Sequence, residues 1–301
     1  MTVAATFRIG TRGSALAMAQ ARIAAEALAQ CVGETRLVPI ATRGDEISAR
    51  LPDAGWVDTD GQFTRELERA LLRGEIDAAV HSYKDLPTAP VDGLVVGAVL
   101  PRADARDCLI TVAGGGLAGL PAAARVGTSS PRRAGQLQEV RPDILMVAMR
   151  GNVESRIARV TAGDVDAVVL AAAGLDRLGA GVPDGSHLPF DVMLPAPAQG
   201  ALAVQVRAHD ADLLAAVAGA DHRPSRVAAE AERALLRRVG GGCLAPLGAY
   251  AEVSDEAIRL RAAYGGRAGA WRRADVTGRV DDLAKLVDEA ARRLMRTGPQ
   301  A

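Results

Sequence analysis

The sequence predicts an α/β protein: two lobes joined by a double hinge, followed by a small α+β domain at the C-terminus. Three observations predict it. Strand-length apolar runs alternate with helix-length amphipathic runs over the first two-thirds of the chain, the pattern of α/β layers. That alternation is interrupted at Pro101 and again at Pro195 and Pro197, as two linkers between lobes would require. Beyond residue 220 the order changes to a charged helix, three glycines, strands and a last helix.

Thr6–Gly10 is a short extended run, Thr11-Arg12-Gly13-Ser14 a turn, and Ala15–Ala29 an alanine-rich helix that Ser14 is placed to cap. A strand is expected over Arg36–Thr42, a helix over Phe63–Leu72 stopped by Gly74, and an apolar strand over Ile76–His81. After Pro101 come strands at Cys108–Val112 and Arg125–Gly127, a helix at Pro131–Val140 and a strand at Ile144–Ala148. A helix at Val153–Thr161 and strands at Ala167–Ala171 and Ala201–Val206 follow. The last part holds a helix at Ser225–Val239, the breaker Gly240-Gly241-Gly242, strands at Ile258–Tyr264 and Ala270–Val276, and a helix at Val280–Met295. The alternation implies parallel pairing in both lobes. The expected domains are 1–100 with 201–219, then 101–200, then 220–301.

Composition narrows the function class. The 301 residues carry 36 basic and 36 acidic side chains, so no net field draws the chain to nucleic acid or to a membrane surface. No run is long and apolar enough to span a bilayer, and Met1–Ile9 lacks the basic-then-apolar order of a secretory signal. Three cysteines, Cys31, Cys108 and Cys243, make an odd and sparse set that suits a reducing cytoplasm. Four scattered histidines and no CxxC pair leave no metal-ligand spacing, so no metal is expected.

Three strand-to-helix turns are built alike. They are Thr11 to Ser14, Gly127 to Arg133 (with Thr128, Ser129, Ser130, Arg132 and Arg133), and Arg150-Gly151-Asn152 with Arg156 one turn later. Each offers capping side chains, backbone N–H groups at a positive helix end, and arginines; Pro131 suits a first helical position. A single such turn reads as ordinary capping with solvated arginines. Three at the carboxyl ends of strands favour an anionic ligand. Lys84 and Asp85 follow the Ile76–His81 strand and reach the same place; taken alone they are an exposed ion pair, and facing a cleft Asp85 can stabilise a cation or move a proton. Gly114 to Gly119 formally satisfies GxGxxG, but Pro121 follows and no helix opens, so a surface loop is expected. Cys31 and Cys108 read as small buried hydrophobes. Cys243, after three glycines, can reach a cleft and serve as a covalent attachment point.

Read together, these segments resemble the hydroxymethylbilane synthase (porphobilinogen deaminase) family over nearly the whole chain. The resemblance is carried by Arg8 to Ser14, Thr42-Arg43-Gly44-Asp45, Ala79 to Pro87, Asp104-Ala105-Arg106-Asp107 and Val126 to Arg133. It continues through Arg150-Gly151-Asn152, Ala173 to Gly179, Leu194 to Gly200, Ala229 to Ala234 and Gly241-Gly242-Cys243. It implies two periplasmic-binding-protein-like lobes and a third domain bearing the cofactor cysteine. It further implies a monomeric transferase that deaminates four porphobilinogens and condenses them head to tail on a dipyrromethane held by a thioether to Cys243, releasing ammonia and a linear tetrapyrrole for heme synthesis. Asp85 matches the family's catalytic acid. Lys84, Thr128, Ser129, Ser130, Arg132, Arg133, Arg150, Gly151 and Asn152 match cofactor-binding positions. Arg12, Ser14, Arg150, Arg156, Arg177 and Gln199 match substrate or hinge-adjacent positions. The lid segment ahead of Phe63, Trp56-Val57-Asp58-Thr59-Asp60-Gly61-Gln62, departs from the family in lacking lysine. The competing class is a non-catalytic two-lobed receptor for a small anion, which would share the clamp but need neither Cys243 nor a third domain.

Overall fold

The computed structural model describes residues 6–42, 64–112, 114–242, 245–265 and 271–295. β1 (Phe7–Arg12) turns through Ser14 into α1 (Ala15–Val32) and returns as β2 (Thr35–Ile40), parallel to β1. α2 (Arg65–Leu72) leads to β3 (Ala78–Ser82), parallel to β1 on its other side, and then to β4 (Leu94–Val99). The chain crosses into a second sheet made of β5 (Asp107–Thr111), β6 (Arg125–Gly127), β7 (Leu145–Val147) and β8 (Ala167–Ala171). Between these strands lie α3 (Pro131–Val140) and α4 (Val153–Thr161); α5 (Ala172–Arg177) follows β8. A second crossing returns as β9 (Leu202–Arg207) and α6 (Ala211–Ala218). α7 (Arg223–Arg238) then leads to β10 (Leu247–Ser254), β11 (Ala257–Gly265) and β12 (Trp271–Arg279), an antiparallel sheet closed by α8 (Leu283–Met295).

The sheet orders are β2-β1-β3-β9-β4 in the first lobe and β5-β8-β6-β7 in the second. The expectation of parallel pairing needs correcting at two strands. β9 runs antiparallel to β3 and β4, and β5 antiparallel to β8. Register gives the reason. Leu202 opens β9 opposite Ser82, the last residue of β3, and Asp107 opens β5 opposite Ala171, the last residue of β8. Each crossing therefore enters its sheet where the parallel strands end, and the strand it feeds must run backwards. The two crossings touch, Ala103 N donating to Gly200 O at 3.2 Å.

Each unit has its own apolar core: Ile9, Leu28, Ala78 and Val204 in the first lobe, Leu109, Leu137 and Val169 in the second, and Leu235, Leu260 and Leu294 in the C-terminal unit. Burying one such side chain stabilises by about 1.5–3 kcal/mol. Gly116–Gly119 forms a short 3-10 turn with extended Leu120 after it, so the glycine run opens no long helix. No described helix is long and apolar enough to cross a membrane.

Candidate active site

The site is built from the ends of the parallel strands. After β1, Ser14 caps α1, its Oγ accepting from Ala17 N at 3.3 Å. After β3, the chain makes a single 3-10 turn, Tyr83–Asp85, which presents Lys84 and Asp85. After β6, Ser130 caps α3 and Pro131 takes the first turn, where its missing N–H costs nothing. Ser129 Oγ donates to Met149 O at 2.7 Å and accepts from Met149 N at 2.9 Å, tying this turn to the one after β7. In that last turn Asn152 Oδ1 accepts from Ser155 N at 2.8 Å, and Arg156 Nε donates to Gly151 O at 2.9 Å. Gly151 has φ 115°, and a Cβ there would stand 2.3 Å from Ser155 Oγ, so the turn needs glycine.

These turns enclose a cavity of about 770 Å³ between the lobes. Of the expected residues, Arg12, Ser14, Lys84, Asp85 and Gln199 reach it from the first lobe and the hinge. Thr128, Ser129, Ser130, Arg133, Arg150, Gly151, Asn152, Arg156 and Arg177 reach it from the second. Six lining side chains are cationic (Arg12, Lys84, Arg133, Arg150, Arg156 and Arg177) against two carboxylates, Asp85 and Glu154. Such a cavity attracts a polyanion.

Burial works against several of these charges. Burial, with Arg133 and Arg132 adding to it against the opposing pull of Asp85 and Asp107, brings Lys84 down to about 8. Burial, then the nearby charges of Arg133 and Arg150, lowers Arg156 to about 10, and burial lowers Arg177 to about 10. Each of these groups is better solvated, electrically, once an anion sits beside it.

Arg132 is the expected residue that does not face the cavity. Its Nη1 donates to Asp107 Oδ2 at 2.6 Å and to Leu194 O at 2.8 Å, and its side chain is buried. Two consecutive helical residues point about 100° apart, so Arg133 lines the cavity while Arg132 turns inward. Arg133 shares the same acid, Nη2 donating to Asp107 Oδ1 at 2.7 Å. Gln199 Nε2 donates to that oxygen at 2.9 Å, and Gln199 Oε1 accepts from Lys84 Nζ at 3.2 Å. Burial opposes charge on Asp107, yet the two arginines hold its pKa well below the usual carboxylate range. Asp107 thus joins the second lobe to the hinge, and through Gln199 reaches Lys84 of the first lobe, a role the sequence reading did not assign. The available signal was an acid at the head of the apolar run Cys108–Ile110, which burial obliges to find a partner. Gln20 and Ser82, paired at 2.8 Å through Gln20 Nε2, are two further lining residues that it missed.

Cys243, the lid segment 56–62 and Arg43-Gly44-Asp45 lie outside the described residues.

The chain matches known proteins along nearly its whole length. Residues 7–215 match the family model described as porphobilinogen deaminase, dipyromethane cofactor binding domain, and residues 227–296 match that of the porphobilinogen deaminase C-terminal domain. The chain is 45% identical to a porphobilinogen deaminase of Nocardia farcinica, covering 97% of this chain and 86% of that one. It is 42% identical to one from a Roseiflexus species, covering 98% of each. Among solved structures, a periplasmic substrate-binding protein from Coxiella burnetii is 16% identical with a TM-score of 0.44, covering 76% of this chain and 97% of that one. Matched over both of its family models and at this identity along nearly its whole length, the chain belongs to the porphobilinogen deaminase family.

Proposed function

We propose that the cavity is the active site in which Asp85 serves as the catalytic carboxylate for deamination and head-to-tail condensation of four porphobilinogens. The observation that carries the reading is one carboxylate, Asp85, exposed on the turn after β3 in a cavity whose other charged walls are mostly cationic. Each substrate brings an acetate and a propionate, so every ring added brings two negative charges. Bidentate arginines suit such groups.

The family's dipyrromethane cofactor fits these residues: Lys84, Arg133 and Arg150 supply charge, and Thr128, Ser129, Ser130, Gly151 and Asn152 supply hydroxyl, amide and backbone groups at helix N-termini. When bound, the cofactor supplies the pyrrole carbon to which the first substrate is joined. We assign Cys243 as its attachment point, from the three glycines before it. Arg132 acts behind Arg133, through Asp107. Arg12, Ser14, Arg156 and Arg177 hold the incoming substrate's carboxylates. Asp85 accepts the pyrrole N–H, stabilises the cation left when ammonia departs, and takes part in the proton transfers around it. Gln199 links the Lys84 turn to the hinge. We read the chain as three domains with the expected bounds, since β9 completes the first sheet and β5 to β8 form the second. We further read it as cytoplasmic, from its three sparse cysteines, as a monomer, from the family resemblance, and as without nucleic-acid or membrane partners, from its zero net charge.

Asp85→Asn tests the assignment. The amide keeps the size and a hydrogen-bond acceptor but carries no charge and exchanges no proton at neutral pH. With the cofactor confirmed by intact mass, ammonia release in a single turnover should fall by at least about 10²-fold, mainly in kcat. Release within a few-fold of wild type removes Asp85 from the mechanism.

A further inference from the structure

The C-terminal unit touches the turn that carries Asp85 through Ala229, which packs in one cluster with Tyr83 and Leu86, and through the longer reach of Arg233. Arg233 sits on α7, is 6% exposed, and points into the first lobe. Its Nη1 donates to Tyr83 O at 3.0 Å and to Leu86 O at 2.7 Å, and its Nη2 donates to Pro87 O at 2.7 Å. Its guanidinium carbon lies 4.4 Å from the centroid of the Tyr83 ring. Three carbonyls and one ring are thus gathered by one rigid fork, and they bracket Lys84 and Asp85 in sequence. The turn's own backbone ties are fewer: Tyr83 N donates to Ala201 O at 3.0 Å and Leu86 N to Tyr83 O at 3.4 Å. A single 3-10 turn has poor hydrogen-bond geometry of its own. Its shape must come from outside.

We propose that Arg233 is a positioning residue for the reaction: it clamps the 83–87 turn so that Asp85 is held at the place where the substrate's charge develops. The proposal rests on the reading of Asp85 as the catalytic carboxylate. It gives the unit that carries Cys243 a second duty, setting the acid against which the attached chain reacts. Lysine is a poor replacement, because an ammonium cannot present the planar fork that reaches three carbonyls and stacks on a ring at once. A displacement of about 1 Å in a catalytic group costs on the order of 10²-fold in rate. The loss should appear mainly in kcat, since five of the six cationic side chains that line the cavity, all but Lys84, stand on other elements.

The test is a double-mutant cycle on cofactor-loaded protein, with Arg233→Met and Arg233→Lys each made alone and with Asp85→Asn. Arg233→Met is expected to lower kcat by roughly 10²-fold and to leave KM near wild type, with Arg233→Lys between the two. In the Asp85→Asn background the same change should cost less than about threefold, because the group it positions is gone. Equal losses in both backgrounds, or a loss confined to KM, overturn the proposal. If Arg233→Met does not fold, the cycle is read on Arg233→Lys. Hydrogen exchange at the Tyr83 and Leu86 amides reads the clamp without reference to turnover: exchange should quicken there in the Arg233 variants, and unchanged exchange also overturns it. Failure of the Asp85 assignment shows separately, as wild-type turnover in Asp85→Asn alone.

Discussion

Lys84 is the side chain whose charge is most delicately held. Brought down to about 8 chiefly by burial, it is charged at neutral pH and loses its proton well before an ordinary lysine. A carboxylate placed beside it pulls its pKa back up, so binding an anion takes up a proton once the pH exceeds about 8. Affinity should therefore be level below pH 8 and weaken above it. Calorimetry on cofactor-free Cys243→Ser protein should show porphobilinogen binding about tenfold weaker at pH 9 than at pH 7. Adding Lys84→Met should remove that difference; a slope of the same size in the double variant contradicts the assignment. At this scale the sequence was readable where a residue's place in a turn decides its direction. Ser14, Ser130 and Asn152 cap because they precede helices, and the arginines beside them follow. It was not readable where a choice lay among partners. Nothing local tells that Arg132 seeks Asp107, 25 residues away, while its neighbour Arg133 also faces the cavity.

At the scale of elements, that same acid joins β5 to α3. Asp107 is fully buried and meets Arg132, Arg133 and Gln199. Asp107→Asn leaves two buried guanidinium groups short of their counter-charge, and breaking such a cluster costs about 3–5 kcal/mol. The urea midpoint should fall accordingly; an unchanged midpoint would show that α3 is held without it. The elements expected from periodicity recur with ends shifted by at most three residues, and unshifted at Pro131–Val140, Val153–Thr161 and Ala167–Ala171. β4 went unassigned because Gly97 breaks its apolar run. The structure gives that glycine a reason: a Cβ would stand 2.5 Å from Val217 Cγ2, so α6 packs directly on the strand. α5, α6 and β10 were also missed. Their short runs Ala172–Arg177, Ala211–Ala218 and Leu247–Ser254 carry too little alternation to declare a type, and packing decides them. The two antiparallel strands follow from where the crossings enter, which is a property of the whole path and not of any one segment.

At the scale of the molecule, one carboxylate ties the C-terminal unit to both crossings. Glu232 on α7 is fully buried and pairs with Arg102 of the first crossing at 2.6 Å. Its oxygens also accept from Ala198 N in the second crossing at 2.6 Å and from Ala251 N in β10 at 2.7 Å. Ala198 has φ 61°, a left-handed conformation that costs an L-residue about 1–2 kcal/mol and persists because its surroundings fix it. Glu232→Gln should weaken the hinge and the C-terminal unit together, by about 3–5 kcal/mol, seen as a drop in the thermal midpoint. An unchanged midpoint would show that the pair does not hold the crossings. Pro101, Pro195 and Pro197 announced both crossings in the sequence, but the buried pair that fastens them rests on residues 130 apart. On the proposed function, this cleft builds a pyrrole chain on a group held at Cys243. Intact mass tests it most directly. Purified wild-type protein should exceed its sequence mass by two pyrrole units, and Cys243→Ser protein should show the bare mass of its own sequence. A wild-type protein at bare sequence mass, or a Cys243→Ser protein with the same excess, would contradict the account.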